Sequence, residues 1–95
     1  MRAKLGEAEI QAALKTMPGW GVEGGAIVKT FKFGSFAEGI KFVQRVAVEA
    51  DGMDHHPDID IRYTKIRVAL STHDAGGITA MDTKLAAKID TLERP

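Results

Sequence analysis

Cysteine is absent from this sequence, and no charge sign is in excess. Without cysteine among the 95 residues, disulfides, thiolate metal sites and cysteine nucleophiles are all excluded. Thirteen basic side chains balance thirteen acidic ones, so the positive surplus typical of nucleic-acid-binding proteins is missing. We therefore expect a small neutral or amphoteric ligand and no direct nucleic acid partner.

Long hydrophobic runs are missing as well. The chain is 44% apolar and 27% charged, which is typical of a soluble globular protein rather than of a membrane span or a disordered tail. Residues 1–6 contain no apolar stretch that could act as a secretory signal. We expect a cytoplasmic protein without a membrane partner, folded as a single domain over residues 1–95.

Three segments have helical periodicity. The first spans Glu7–Met17, the second begins after Ser35 and ends near Gly52, and the third begins after Thr79. Ser35 and Thr79 are each followed three residues later by an acidic residue, which is the pattern of a capping box. The stripes predicted to face the core are Ile10, Ala13, Leu14 and Met17 in the first helix, Phe36, Ile40, Val43 and Ala47 in the second, and Met81, Leu85, Ile89 and Leu92 in the third.

Four further segments read as strands, at residues 20–22, 27–33, 58–63 and 66–70. A Gly-Gly turn joins the first two into a hairpin, and a very short connection makes the last two pair antiparallel. The order αββαββα predicts an α+β fold, a two-layer sandwich in which a four-stranded antiparallel sheet carries helices on one face. Phe, Ile and Tyr residues near the open face would invite self-association.

All three histidines lie outside the periodic segments. His55 and His56 precede the third strand, and His73 follows the fourth. Because a short hairpin brings the start of one strand beside the end of the other, the three imidazoles should line one cleft. Imidazole exchanges protons near neutral pH, so this cluster suits coupled general acid and base catalysis.

Other interpretations of these residues remain open. A single loop histidine is more often a solvated surface residue than a catalyst. A zinc site could be built from His55, His73 and either Asp51 or Asp82. However, His55 and His56 are adjacent and would point to opposite sides of an extended chain, so they could not readily share a metal. Asp51 lies one turn before His55 and would orient that ring if the helix continued.

The same residues follow the signature of a known family. The pattern is an acidic residue, three positions, His-His-Pro, an aromatic residue six after the proline, a histidine ten further on and a later aspartate. These places are filled by Asp51, His55, His56, Pro57, Tyr63, His73 and Asp82. With the passages "FKFGSFAEGIKFVQRVA" and "STHDAGGIT", the chain resembles pterin-4-alpha-carbinolamine dehydratases, whose mammalian members double as the dimerisation cofactor of a homeodomain transcription factor.

The resemblance implies an enzyme that dehydrates 4a-hydroxytetrahydrobiopterin to quinonoid dihydropterin without a cofactor or metal, in the recycling of tetrahydrobiopterin after aromatic amino acid hydroxylases. His55 and His73 would be the acid and base pair, and His56 would mainly bind the pterin. Asp51 and Asp82 would support the histidines. The rest of the pocket would come from Pro57, Thr72, Asp74 and Ala75.

Two departures from the family are visible. Asp51 stands where family members often carry Glu, and Ile59 stands where many have an aromatic residue, which puts ring stacking there in doubt. The resemblance also implies a homodimer or homotetramer. A different class of function would be a non-catalytic protein-binding or assembly module of the same fold, whose expected sign is erosion of the histidine set.

Overall fold

Helices and strands follow one another along the chain in the predicted order αββαββα. The computed structural model describes residues 3–93. Its elements are α1 (Glu7–Leu14), β1 (Gly21–Glu23), β2 (Ala26–Lys32), α2 (Phe36–Met53), β3 (Asp58–Arg62), β4 (Lys65–Leu70), a 3-10 turn (His73–Ala75) and α3 (Ala80–Leu92). The first helix ends at Leu14 rather than Met17, because the amides of Thr16 and Met17 bond to carbonyls three residues back and tighten the chain before Pro18.

The four strands form one antiparallel sheet in the order β1-β2-β4-β3. The long central pair joins β2 to β4, with Ile27 opposite Leu70 and Phe31 opposite Ile66. Tyr63 was expected to end a strand, but its φ of 53° places it in the turn between β3 and β4, where it is exposed. The predicted α+β class and antiparallel sheet are confirmed.

Helix α2 buries a different face from the predicted one. The buried residues are Gly39, Phe42, Val46 and Ala50. By contrast, Phe36 is 51% exposed and Ala47 is also exposed, so the predicted stripe was wrong at these two positions, although Val43 does pack against the core. The reason is Gly39: a Cβ there would lie 3.3 Å from the Ile66 side chain, so a residue without a side chain lets the helix sit directly on β4.

The core lies between the sheet and helices α2 and α3. Rings of Phe31 and Phe42 pack at 4.8 Å between centroids, and Trp20 meets Phe31 edge-on at 6.1 Å. Asp90 of α3 accepts hydrogen bonds from Trp20 Nε1 at 3.0 Å and from Lys29 Nζ at 2.8 Å. This three-residue contact ties the end of α3 to β2.

The other face of the sheet is polar. The alternation of side chains along β4 directs Ile66, Val68 and Leu70 toward the helices and Lys65 and Arg67 outward. Phe33, which directly follows β2, is partly buried and packs against the Phe42 ring rather than on the open face. Within residues 3–93, no helix combines the length and apolar character needed to cross a membrane.

Candidate active site

The end of α2 and the end of β4 meet at one edge of the sheet. Asp58, the first residue of β3, pairs with Ala69 near the end of β4, so the segments before and after this hairpin are neighbours. Asp54 closes α2 in the left-handed conformation, with φ 49° and ψ 44°. Its amide and that of His55 cap the last carbonyls of the helix, which turns the chain sharply into His55.

A cleft of about 200 Å³ lies between these two segments. It is lined by Asp54, His55, His56, Ser71, Thr72, His73 and Asp74. All three imidazoles therefore border one cavity. Pro57 and Ala75 do not line the cleft, although each directly follows a lining residue and is half-buried. Ile59 packs toward the core.

His55 is the buried member of the three histidines. It is 5% exposed, and its Nε2 lies 2.5 Å from Oδ1 of Asp82, which is fully buried. A carboxylate only accepts hydrogen bonds, so Nε2 carries the proton in this contact. Among residues 3–93, no enclosed side-chain nitrogen or oxygen lacks a hydrogen-bond partner. Nδ1 makes no hydrogen bond within that range, so it is not fully enclosed, and His55 is one of the residues that line the cleft.

The second oxygen of Asp82 is held by two donors. Oδ2 accepts the Thr72 hydroxyl at 2.9 Å and the backbone N–H of Thr79 at 2.9 Å. The Thr72 and Thr79 hydroxyls lie 2.8 Å apart, and both side chains are buried. Asp82 thus completes the predicted capping box of α3 and also binds His55, so one carboxylate joins the helix terminus to the cleft.

Asp51 pairs with a different histidine from the expected one. Its Oδ1 lies 2.8 Å from Nε2 of His56, and the two side chains are 79% and 57% exposed. The expectation that Asp51 orients His55 is wrong, because the helix ends at Met53 and the left-handed Asp54 turns His55 inward toward Asp82. The exposed Asp51–His56 pair and the buried His55–Asp82 pair are therefore separate contacts.

His73 is exposed and begins the 3-10 turn after β4. Its loop is closed by paired backbone hydrogen bonds, from Thr72 N to Gly77 O at 2.8 Å and from Gly77 N to Thr72 O at 3.3 Å. Gly76 takes the positive φ of 72° that this closure requires. A short, closed loop holds the His73 backbone at the cleft while the ring stays accessible.

Three residues of this region carried no functional signal in the sequence. Asp54 and Ser71 line the cleft, and Thr79 belongs to the buried network. The capping pattern predicted a structural role for Thr79. The hydrogen bond from Thr72 to Asp82 joins residues ten positions apart, and no short sequence motif indicates it. Within the described chain, no three histidine, aspartate or glutamate side chains are grouped so as to hold a metal ion.

Comparison with known proteins defines the class. A sequence model described as pterin 4 alpha carbinolamine dehydratase matches residues 3–92. A protein of Sulfurisphaera tokodaii, provisionally named pterin-4-alpha-carbinolamine dehydratase, is 52% identical over 94% of this chain and 96% of its own length. A Chloroflexus aurantiacus protein with the same provisional name is 51% identical over the same shares. The chain belongs to the pterin-4-alpha-carbinolamine dehydratase family.

Solved structures agree with this fold. The crystal structure of a transcriptional coactivator/pterin dehydratase from Brucella Melitensis superimposes with a TM-score of 0.90 at 36% identity, covering 95% of this chain and 98% of that one. A pterin dehydratase-like protein identified as a RuBisCO assembly factor in the alpha-carboxysome gives a TM-score of 0.64 at 24% identity, covering 79% and 87%. The second likeness concerns the fold alone.

Proposed function

We propose that this protein dehydrates 4a-hydroxytetrahydrobiopterin to quinonoid dihydropterin by histidine acid and base catalysis, in the recycling of tetrahydrobiopterin. The observation that carries the proposal is the cleft bordered by His55, His56 and His73, one of which is held by a buried carboxylate. Membership of the family and relatives at about half identity support the same activity.

The reaction needs one proton taken and one proton given. As the N5–H bond and the C4a–O bond break, a C4a=N5 double bond forms and the hydroxyl leaves as water. In our proposal His55 and His73 divide these transfers, because both border the cleft and one ring nitrogen of His55 is not fully enclosed. The Nε2 proton of His55 stays on Nε2, where it is donated to Asp82, so in our proposal Nδ1 is the atom that exchanges a proton with the substrate.

The remaining polar groups would bind the pterin. The His56 ring is exposed and pairs with Asp51. An exposed ring held by one neighbour is suited to contact a ligand. Asp74 lines the same cleft, and Pro57 and Ala75 each directly follow a residue that lines it. The proposed role of these residues is to orient the bicyclic ring against the acid and base pair.

The activity is tested with synthetic carbinolamine. Wild-type protein should speed its dehydration well beyond the reaction in buffer, and His73→Ala should lose most of that rate. His73 is exposed, so this variant should keep the unfolding midpoint of the wild type and separate chemistry from folding. A wild-type rate no faster than buffer alone would end the proposal.

The alternative is an assembly module without catalysis. One observation favours considering it: a protein of the same fold is a RuBisCO assembly factor. That protein shares only 24% identity with this chain, and here all three signature histidines are present and border one cleft. The same carbinolamine assay separates the two functions, because an assembly module would be folded and inactive.

A further inference from the structure

Two buried threonines stand behind the carboxylate that holds His55. We propose that Thr72 and Thr79 form a positioning pair, which fixes Asp82 and, through it, sets which nitrogen of His55 carries the proton. The kinetic consequence of this pair rests on the proposed function. Its effect on the His55 ring does not, so the two ideas can fail separately.

The hydrogen-bond directions follow from counting protons. Thr79 Oγ1 accepts the backbone N–H of Met81 at 3.2 Å, and its own single proton remains free to donate. If Thr72 donated to Thr79, it would have no proton for Asp82, and two oxygens would face each other at 2.9 Å without a hydrogen between them. Thr79 therefore donates to Thr72, and Thr72 donates to Asp82.

This order fixes the orientation of the carboxylate. Oδ2 of Asp82 is held by the Thr72 hydroxyl and the Thr79 amide, so the group cannot rotate without breaking two hydrogen bonds. Oδ1 is then directed at Nε2 of His55. The chain of donors makes Asp82 an acceptor at both oxygens, which keeps the proton on Nε2 and leaves the lone pair on Nδ1.

Thr72 therefore acts indirectly, although it lines the cleft. Its side chain is 2% exposed and its hydroxyl is committed to Asp82 and Thr79. Its backbone N–H and carbonyl are bonded to Gly77 within the loop. Thr72 has no polar group left for a ligand, so its contribution passes through the carboxylate.

Nitrogen-15 NMR of the histidine ring measures the proposed effect directly. At a pH at which the ring is uncharged, wild-type protein should show His55 as one tautomer, protonated at Nε2. Thr72→Val and Thr79→Val keep the shape of the side chain but remove the hydroxyl, and each should give a mixture of tautomers or an exchange-broadened ring. Thr72→Ser and Thr79→Ser restore the hydroxyl and should restore the single tautomer.

Thr83→Val is the matched control. Thr83 lies on the same helix, but its hydroxyl bonds only to the Ala80 carbonyl and takes no part in the network. The His55 spectrum should be unchanged in this variant. A wild-type spectrum retained in Thr72→Val, or a Thr72→Ser spectrum that stays perturbed, would overturn the proposal.

The wild-type protein also offers a test that needs no variant. Hydroxyl protons buried away from water exchange slowly enough to be observed. Nuclear Overhauser contacts should join the Thr79 hydroxyl proton to the Hβ of Thr72, and the Thr72 hydroxyl proton to the Hβ protons of Asp82. A Thr72 proton directed at Thr79 instead would contradict the order of donors, even if the valine variants did not fold.

The kinetic readout connects the pair to the reaction. In Thr72→Val, kcat should fall about tenfold, the factor expected for one lost hydrogen bond to a charged group, while KM stays within about twofold. The serine variant should recover kcat. An equal rise in KM would mean that Thr72 contacts substrate, and an inactive wild type would remove the proposed function while the ring spectrum still decides this inference.

Discussion

The three cleft histidines differ in what holds them, and this decides what their removal would cost. His55 is buried against Asp82, whereas His56 and His73 are exposed. From their place in loops, each of the three could be read as a solvated surface residue. That interpretation is wrong for His55, because its ring is buried against Asp82 of α3.

His55→Ala should lower the free energy of unfolding by about 3 kcal/mol, since it leaves the carboxylate of Asp82 buried without its partner. His73→Ala should change it by less than about 0.5 kcal/mol, as an exposed substitution does. Urea unfolding of both variants checks the difference. Equal stabilities would contradict the burial of the His55–Asp82 pair.

A matched pair of aspartates tests the same distinction. Asp82→Asn replaces an acceptor oxygen with a donor in a site whose neighbours donate, so the unfolding free energy should fall by about 2 kcal/mol. Asp51→Asn alters an exposed pair, which is worth at most about 1 kcal/mol. Thermal unfolding of the two variants, made side by side, measures the gap. A larger loss in Asp51→Asn would show that the surface pair is the structural one.

Individual residues were predictable where their partners are close in sequence. The caps at Ser35 and Thr79 follow from spacing alone and are present. The pairing of Asp51 with His55 also looked local, but a single left-handed residue, Asp54, redirected the chain. The partner of His55 lies 27 residues away, and only the folded sheet and helices bring it into contact.

At the scale of elements, the glycines of α2 explain how the helix meets the sheet. Gly39→Leu should destabilise the protein by about 2 kcal/mol, because its Cβ position already lies 3.3 Å from Ile66. Gly52→Ala meets open space in the same helix and should stabilise it by about 0.5 kcal/mol. Chemical denaturation measures both changes in the free energy of unfolding. If Gly39→Leu stabilised the protein, the close approach of the helix to β4 would be contradicted.

The contact between α3 and β2 has an optical reporter, because Trp20 is the single tryptophan. Asp90→Ala removes the acceptor of both Trp20 Nε1 and Lys29, so stability should fall by about 2 kcal/mol. The fluorescence of the 6% exposed indole should shift to longer wavelength as water enters. Thr91→Ala, on the exposed side of the helix, is the control; an emission spectrum unchanged in Asp90→Ala would count against the contact.

Element order and type were predictable because the apolar periods are clear, but the rotation of α2 was not. Its stripe was chosen from apolar residues at helical spacing, and the position of closest approach is a glycine, which hydrophobicity does not mark. The buried face therefore includes Gly39 and Ala50, and the larger Phe36 stays on the surface. Phe42 and Val46 lie on the same buried face, so the close approach at Gly39 decided between two apolar faces of the helix.

At the scale of the whole molecule, we expect self-association. Ile61 is 39% exposed on the outer strand β3 and Tyr63 is 74% exposed in the adjoining turn, so apolar surface remains uncovered in the single chain. Light scattering at micromolar concentration should give two or four times the mass of one chain. A monomeric mass at the same concentration would contradict the expectation.

The strand order has a consequence for how this protein can change over generations. Every side chain that lines the cleft comes from residues 54–74, and the carboxylate behind it follows within eight positions. Side chains of the β1–β2 hairpin do not line this cleft, although its turn at Gly24 and Gly25 borders a neighbouring cavity with Thr72 and His73. Substitutions on the outer face of that hairpin could therefore change its charge and polarity without changing the residues that line the cleft, which lie in one short segment of the sequence.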